Sequence, residues 1–173
     1  MLLVKDKLDR DASEFDKMIP TQSLSLPFEI RQKARFVAVL DSGVQVGLQI
    51  DRGHILRDGD KLIASDGTVI HIKAANEAVS TVSTLDQKMF ARVCYHLGNR
   101  HVPLQVESDW CRYLQDHVLD DMVELLGGDV VHESAPFEPE AGAYAGGHHH
   151  RQSPHNSGSV PSIDDIKGFS LVE

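Results

Sequence analysis

Thr84-Leu85-Asp86-Gln87-Lys88-Met89-Phe90-Ala91-Arg92-Val93-Cys94-Tyr95-His96-Leu97-Gly98 is the stretch on which the fold of this chain turns. Thr84 stands where an N-cap belongs, with Gln87 three residues on, the spacing of a capping box. Met89, Phe90, Val93, Cys94 and Leu97 then recur at helical intervals, which predicts a helix with one apolar face. Gly98 is expected to end it from the C′ position, where a left-handed residue closes many helices.

Reading outward from this helix, Glu77-Ala78-Val79-Ser80-Thr81-Val82 precedes it as a strand. Leu104-Gln105-Val106-Glu107 and Cys111-Arg112-Tyr113-Leu114 follow as two short strands about Ser108-Asp109. A second helix is predicted from about Asp116 to Leu126, with Val118, Leu119, Met122, Val123 and Leu126 on one face and Gly127-Gly128 as its stop. Asp129-Val130-Val131-His132-Glu133 closes the series. Strand-helix-strand-strand-helix-strand is the split βαβ, ferredoxin-like order. It predicts two helices on one face of a four-stranded sheet over residues 76–144.

Before this unit the periodicity is that of strands. Ala34-Arg35-Phe36-Val37-Ala38-Val39-Leu40, the turn Asp41-Ser42-Gly43 and Val44-Gln45-Val46-Gly47-Leu48-Gln49-Ile50 read as a β-hairpin. Turns at Asp51-Arg52-Gly53, Arg57-Asp58-Gly59-Asp60 and Ser65-Asp66-Gly67 set off Lys61-Leu62-Ile63-Ala64 and Thr68-Val69-Ile70-His71-Ile72-Lys73. Residues 1–75 are therefore expected to form a small all-β domain, and the chain as a whole is α+β. Beyond Pro136 the composition turns to Pro, Gly, Ala, Ser and His. No apolar periodicity remains to be buried between about Ala141 and Ser162, so residues 145–173 are expected to be a flexible, histidine-containing tail.

At 173 residues with 41% hydrophobic content, the chain can build a core in one large domain or two small ones. No apolar run approaches the roughly 20 residues that span a bilayer, and the first residues lack the length and cleavage site of a signal peptide. The expectation is a cytoplasmic protein with no membrane partner. The two cysteines, Cys94 and Cys111, form no CxxC pair. They suit a reducing compartment and read as small buried apolar residues rather than ligands.

The net charge of −9 is uneven: residues 1–75 carry 11 basic and 11 acidic side chains, residues 76–173 carry 6 and 15. A phosphate backbone demands clustered cations, so nucleic acid is excluded as a partner. Acidity around histidines suits a cation, although a solvated acidic surface accounts for the same charge.

Imidazole is a good ligand for nickel, zinc and copper, whereas magnesium and calcium prefer oxygen. The candidate ligands are His96 with His101, His148-His149-His150, and His155. His101 sits just past the helix stop, where loop backbone can project it outward. His96 lies in the last helical turn, where a capping or packing role against the helix dipole competes with ligation. His117 opens the second helix and faces either the sheet or a metal. His54, His71 and His132 stand alone and read as ordinary surface or satisfied histidines. The run at 148–150 is only three long, with ordinary sequence beyond it, unlike an engineered tag.

Catalytic motifs are lacking. A zinc protease helix carries two histidines at i and i+4 with a glutamate between them, and neither a nucleophile elbow nor a phosphate-binding loop is present. The chain is not read as an enzyme. With His101 as its one rigidly placed ligand, it falls short of the about four to six donors of a transition-metal site. A two-fold dimer with His101 of each chain at the axis would double the donors. The tail histidines His148, His149, His150 and His155 could complete the shell. An open, labile site of this kind suits a carrier.

The segment His96-Leu97-Gly98-Asn99-Arg100-His101-Val102-Pro103-Leu104-Gln105 closely resembles the urease accessory nickel chaperones, UreE. So do His117-Val118-Leu119-Asp120-Asp121-Met122 and Pro136-Phe137-Glu138-Pro139-Glu140-Ala141-Gly142-Ala143-Tyr144. The likeness extends through Arg31-Gln32-Lys33-Ala34-Arg35, Val46-Gly47-Leu48, Arg52-Gly53 and Leu56-Arg57-Asp58-Gly59-Asp60, and covers most of residues 24–150. The resemblance implies a β domain like the peptide-binding domain of a heat-shock co-chaperone, followed by a ferredoxin-like metal-binding domain. It further implies a homodimer holding Ni(II) between its chains through His101, and delivery to apo-urease in a complex with the urease accessory GTPase. Zn(II) or Cu(II) could occupy the same histidines. Some members carry histidine at both positions matching Gln115 and His117, and this chain keeps only His117. Two rival readings differ in class: an interaction scaffold of the maturation complex with incidental metal binding, and a metal-dependent hydrolase.

Overall fold

The computed structural model describes residues 2–83 and 86–141. Six strands and one short helix come first: β1 (Leu2–Lys7), β2 (Gln22–Leu26), α1 (Phe28–Arg31), β3 (Arg35–Val39), β4 (Gln45–Gln49), β5 (Lys61–Ala64) and β6 (Val69–Ala74). They make a mixed sheet in the order β2-β6-β5-β1-β4-β3. The expected hairpin is present, with Arg35 opposite Gln49 and Val39 opposite Gln45. Its turn is closed by Leu40 and Val44, and Gly43 supplies the positive φ of 89° that the tight connection needs.

Three parts of this half were not foreseen. β1 runs parallel to β4 and antiparallel to β5, and β2 runs parallel to β6. Both parallel pairings join strands far apart in sequence, which no local turn signal announces. The third is α1, a single turn that qualifies the all-β expectation. Val4, Leu24, Val46, Leu48, Leu62 and Ile70 are among the side chains that form the core of this sheet. Each such burial is worth roughly 1.5–3 kcal/mol.

The second half comprises β7 (Asn76–Ser83), α2 (Gln87–Gly98), β8 (Gln105–Val106), β9 (Trp110–Leu114), α3 (His117–Leu125) and β10 (Asp129–Pro136). The sheet is antiparallel throughout, in the order β10-β7-β9-β8. The order of elements along the chain is the one expected. Val82, Cys111 and Tyr113 from the sheet meet Val93 and Leu97 of α2 and Leu119 and Val123 of α3 in a second core, so both helices cover one face.

The helix ends depart from expectation. Asp86, not Thr84, is the N-cap of α2, and its carboxylate accepts from the Lys88 amide at 2.9 Å and the Met89 amide at 3.3 Å. A carboxylate satisfies two orphan donors and also complements the positive end of the dipole. Gly98 does not stand at C′: it lies inside α2, and Asn99 is the C-cap, with φ −65°. Asp116 caps α3 in the same manner as Asp86 caps α2.

A strap, residues 137–140, returns from β10 to the first sheet. Phe137 is fully buried against Phe28, Val79 and Ala135, its ring edge-on to Phe28 at 5.8 Å. The fully buried Arg31 guanidinium donates to the carbonyls of Leu26, Leu56 and Phe137 and to Glu138 Oε2. A buried guanidinium is tolerable only when paired and saturated in this way.

Candidate metal-binding site

The apolar stripe of α2 fixes which way its C-terminus points. Val93 and Leu97 are buried, so Tyr95 turns outward and His96 is half-buried. The His96 ring packs edge-on to Tyr95 at 5.3 Å, a packing role of the kind weighed against ligation. The last turn then unwinds in steps: Asn99 N–H donates to the Tyr95 carbonyl, Arg100 N–H to Leu97 and His101 N–H to Gly98, each at 3.0 Å.

His101 has φ 56°, the only positive φ at a non-glycine position among the described residues. The left-handed region disfavours a residue with a Cβ by roughly 1–2 kcal/mol. The chain turns sharply there, and the imidazole is exposed beyond the end of α2. Glycine would ease this turn and would carry no ligand. Exposure in a conformation that no packing enforces makes His101 the candidate for function at this end of α2.

His117, the first residue of α3, is exposed and does not face the sheet. His148, His149, His150 and His155 lie outside the described residues. Among the described residues of one chain, no three His, Cys, Asp or Glu side chains come together as a metal cluster. Among the described residues, His101 is thus presented to solvent with no further pair of His, Cys, Asp or Glu side chains gathered beside it as a cluster.

The cysteines are core residues. Cys111 is fully buried, Cys94 is half-buried, and both are free thiols. The hydrogen bond with Cys94, together with burial, pushes the Cys111 thiol well above its ordinary range.

His132 is a satisfied histidine: its Nε2 lies 2.9 Å from Asp120 Oδ2, while Tyr113 Oη donates to Asp120 Oδ1 at 2.8 Å. Helical spacing placed Asp120 on α3 but gave no sign that its carboxylate turns inward.

Residues 8–75 match the family model for the UreE urease accessory protein N-terminal domain, and residues 77–160 match the one for its C-terminal domain. The chain belongs to the UreE family of urease accessory proteins. It is 62% identical over 124 residues to the urease accessory protein UreE of Alkalilimnicola ehrlichii, covering 72% of this chain and 76% of that one. To the UreE of Proteus mirabilis it is 50% identical over 127 residues, covering 73% and 79%. To that of Alcanivorax borkumensis it is 51% identical over 147 residues, covering 80% and 84%.

UreE is thus a family of accessory proteins rather than of catalysts, consistent with a part in urease maturation. Several of the segments that carry the UreE resemblance turn out to have structural work. Arg31, Arg57, Asp58 and Glu138 meet where the strap crosses to the first sheet. Arg31 and Glu138 are 107 positions apart, so no local pattern linked them.

Proposed function

We propose that this chain is a nickel metallochaperone of urease assembly. It works as a homodimer in which His101 of each chain grips Ni(II) as cargo, with His148, His149, His150 and His155 as accessory donors and His117 as a further candidate. Apo-urease, in complex with the urease accessory GTPase, receives the ion. The observation that carries this reading is the exposed His101 held in the left-handed region at the end of α2.

The donor chemistry fits. Neutral imidazole suits Ni(II), and Zn(II) or Cu(II) would enter the same set, so cellular supply decides the cargo. The lack of a three-residue ligand cluster among the described residues favours a site shared across a two-fold axis, and an open site of that kind leaves the ion accessible for transfer. Free thiols at Cys94 and Cys111 agree with the cytoplasm. The sheet order β10-β7-β9-β8 supports the ferredoxin-like reading of residues 76–144, and the six-stranded sheet supports a β domain over 1–75; the tail read over 145–173 lies outside the described residues.

A calorimetric nickel titration with parallel solution mass, on the intact chain and on His101→Ala, tests this reading. Tight uptake of about one ion per dimer, lost in the variant, is expected. Undiminished binding by His101→Ala would remove the reading's central ligand and favour an interaction scaffold.

A further inference from the structure

We infer that Glu138 is a positioning residue for the metal-gripping loop, so that the first sheet sets how firmly His101 holds its ion. The inference rests on His101 being the ligand.

The loop at 101–104 is held on one side by Val102 and Leu104, which pack against the second core. It leaves α2 through the left-handed turn at His101 and runs into β8, a two-residue edge strand paired only to β9. The strap supplies the other side. Glu138 N–H donates to Gln105 Oε1 at 3.0 Å, and Glu140 N–H donates to the Leu104 carbonyl at 2.8 Å.

The strap is itself latched through one carboxylate. Glu138 accepts from Arg31 Nη1 at 2.6 Å, Arg57 Nη1 at 2.7 Å and the Asp58 amide at 2.8 Å. Arg57 Nη1 also donates to the Pro139 carbonyl at 2.6 Å. Behind Arg57, the fully buried Asp60 accepts the Arg57 amide at 2.8 Å and pairs with Lys7 and Arg10, each at 2.7 Å. A run of charged hydrogen bonds thus leads from β1 to Glu138, and the neutral bond from the Glu138 amide carries it on to Gln105, the residue that starts β8. Partners that hold a ligand's surroundings in place govern metal affinity even without touching the ion.

Glutamine at position 138 keeps one acceptor oxygen but turns a donor toward one of the two guanidinium groups and removes the charge that pairs with both, which weakens the latch while both hydrophobic cores stay intact. The test titrates nickel into the full chain and its variants, measures release by chelator competition, and follows amide exchange. Glu138→Gln is expected to weaken nickel binding about 10-fold, with faster release, and to speed exchange of the Glu138 and Glu140 amides. Arg57→Gln, which leaves Arg31 paired to Glu138, should act in the same direction with a smaller effect; it carries the test if Glu138→Gln does not fold. Asp41→Asn disturbs the contacts of Asp41 with Ser23, Ser25 and Lys73, at the hairpin turn of the first sheet, and should leave nickel affinity unchanged.

Wild-type nickel affinity and release in Glu138→Gln, with faster amide exchange, would overturn the inference. So would an equal loss in Asp41→Asn, which would mark a general loss of stability. Binding that survives His101→Ala would instead sink the underlying reading, so the two failures are distinct.

Discussion

The Asp120 carboxylate ties α3 to β10 by lying 2.9 Å from His132 Nε2, and it holds the Tyr113 hydroxyl from beneath at 2.8 Å. Burial pushes this carboxyl up. The buried Ser80 hydroxyl beside it, the Tyr113 hydroxyl and the His132 imidazole outweigh burial and hold it below the ordinary carboxylate range. A carboxyl with a lowered native pKa contributes stability that is present above its unfolded value of roughly 3.9 and lost as pH falls through the native one. Asp120→Asn is therefore expected to cost about 1–3 kcal/mol near neutrality and less as pH falls toward 3. Urea midpoints measured from pH 7 to pH 3 check this. A constant gap between the two proteins would mean that the carboxylate charge plays no part.

Gly98 and Gly128 should respond oppositely to alanine. A Cβ on Gly98 meets nothing within 4 Å, whereas one on Gly128 would stand 2.8 Å from Val123 Cγ1 and 3.3 Å from Val82 Cγ1. Val123 and Val82 are both fully buried and cannot step aside. Gly98→Ala is expected to stabilise the last turn of α2 by about 0.5–1 kcal/mol. Gly128→Ala should cost about 1–3 kcal/mol through overpacking. Thermal melts of the two variants decide the matter. A destabilised Gly98→Ala would reinstate glycine as a left-handed helix stop there.

Arg31 is the buried member of the latch, stacked 5.4 Å over the Phe28 ring and bonded to three carbonyls besides Glu138. Methionine fills much of its volume but takes the guanidinium away from the Leu56 and Phe137 carbonyls and from Glu138, while the Leu26 carbonyl keeps the Ala75 amide. Arg31→Met is expected to lose about 3–5 kcal/mol, measured by chemical denaturation. A loss below about 1 kcal/mol would mean that water replaces the guanidinium at the joint.

The helices, the hairpin and the element order from β7 to β10 could be read from the chain because their causes are local. Val93 and Leu97 recur at helical spacing, and Asp41-Ser42-Gly43 carries a turn in its own chemistry. The parallel pairings of Leu2 with Val46 and of Gln22 with Ile70 have no such signature, and neither does the meeting of Arg31 with Glu138. Among the candidate site residues, His101 stood out by type and by its place after a helix. What the spacing misjudged was the backbone. Gly98 looked like the residue that must turn left-handed, yet α2 continues through it and the unfavourable conformation falls on His101 three residues later.

That misplaced turn leads to a prediction in which stability and function separate. His101→Gly removes the Cβ from a residue at φ 56° while increasing the freedom of the unfolded chain, and these effects oppose each other. Native stability is expected to stay within about 1 kcal/mol of wild type, or to rise by that amount. His101→Val places a β-branched side chain at the same φ and should lose more, about 1–3 kcal/mol. Both variants lack the imidazole and should lose nickel binding together. Melting curves and nickel titrations on the pair separate the two effects, because strain orders the variants by stability while the missing ligand makes them equal in binding. A valine variant as stable as the glycine variant would mean that the backbone relaxes out of the left-handed region once histidine is gone.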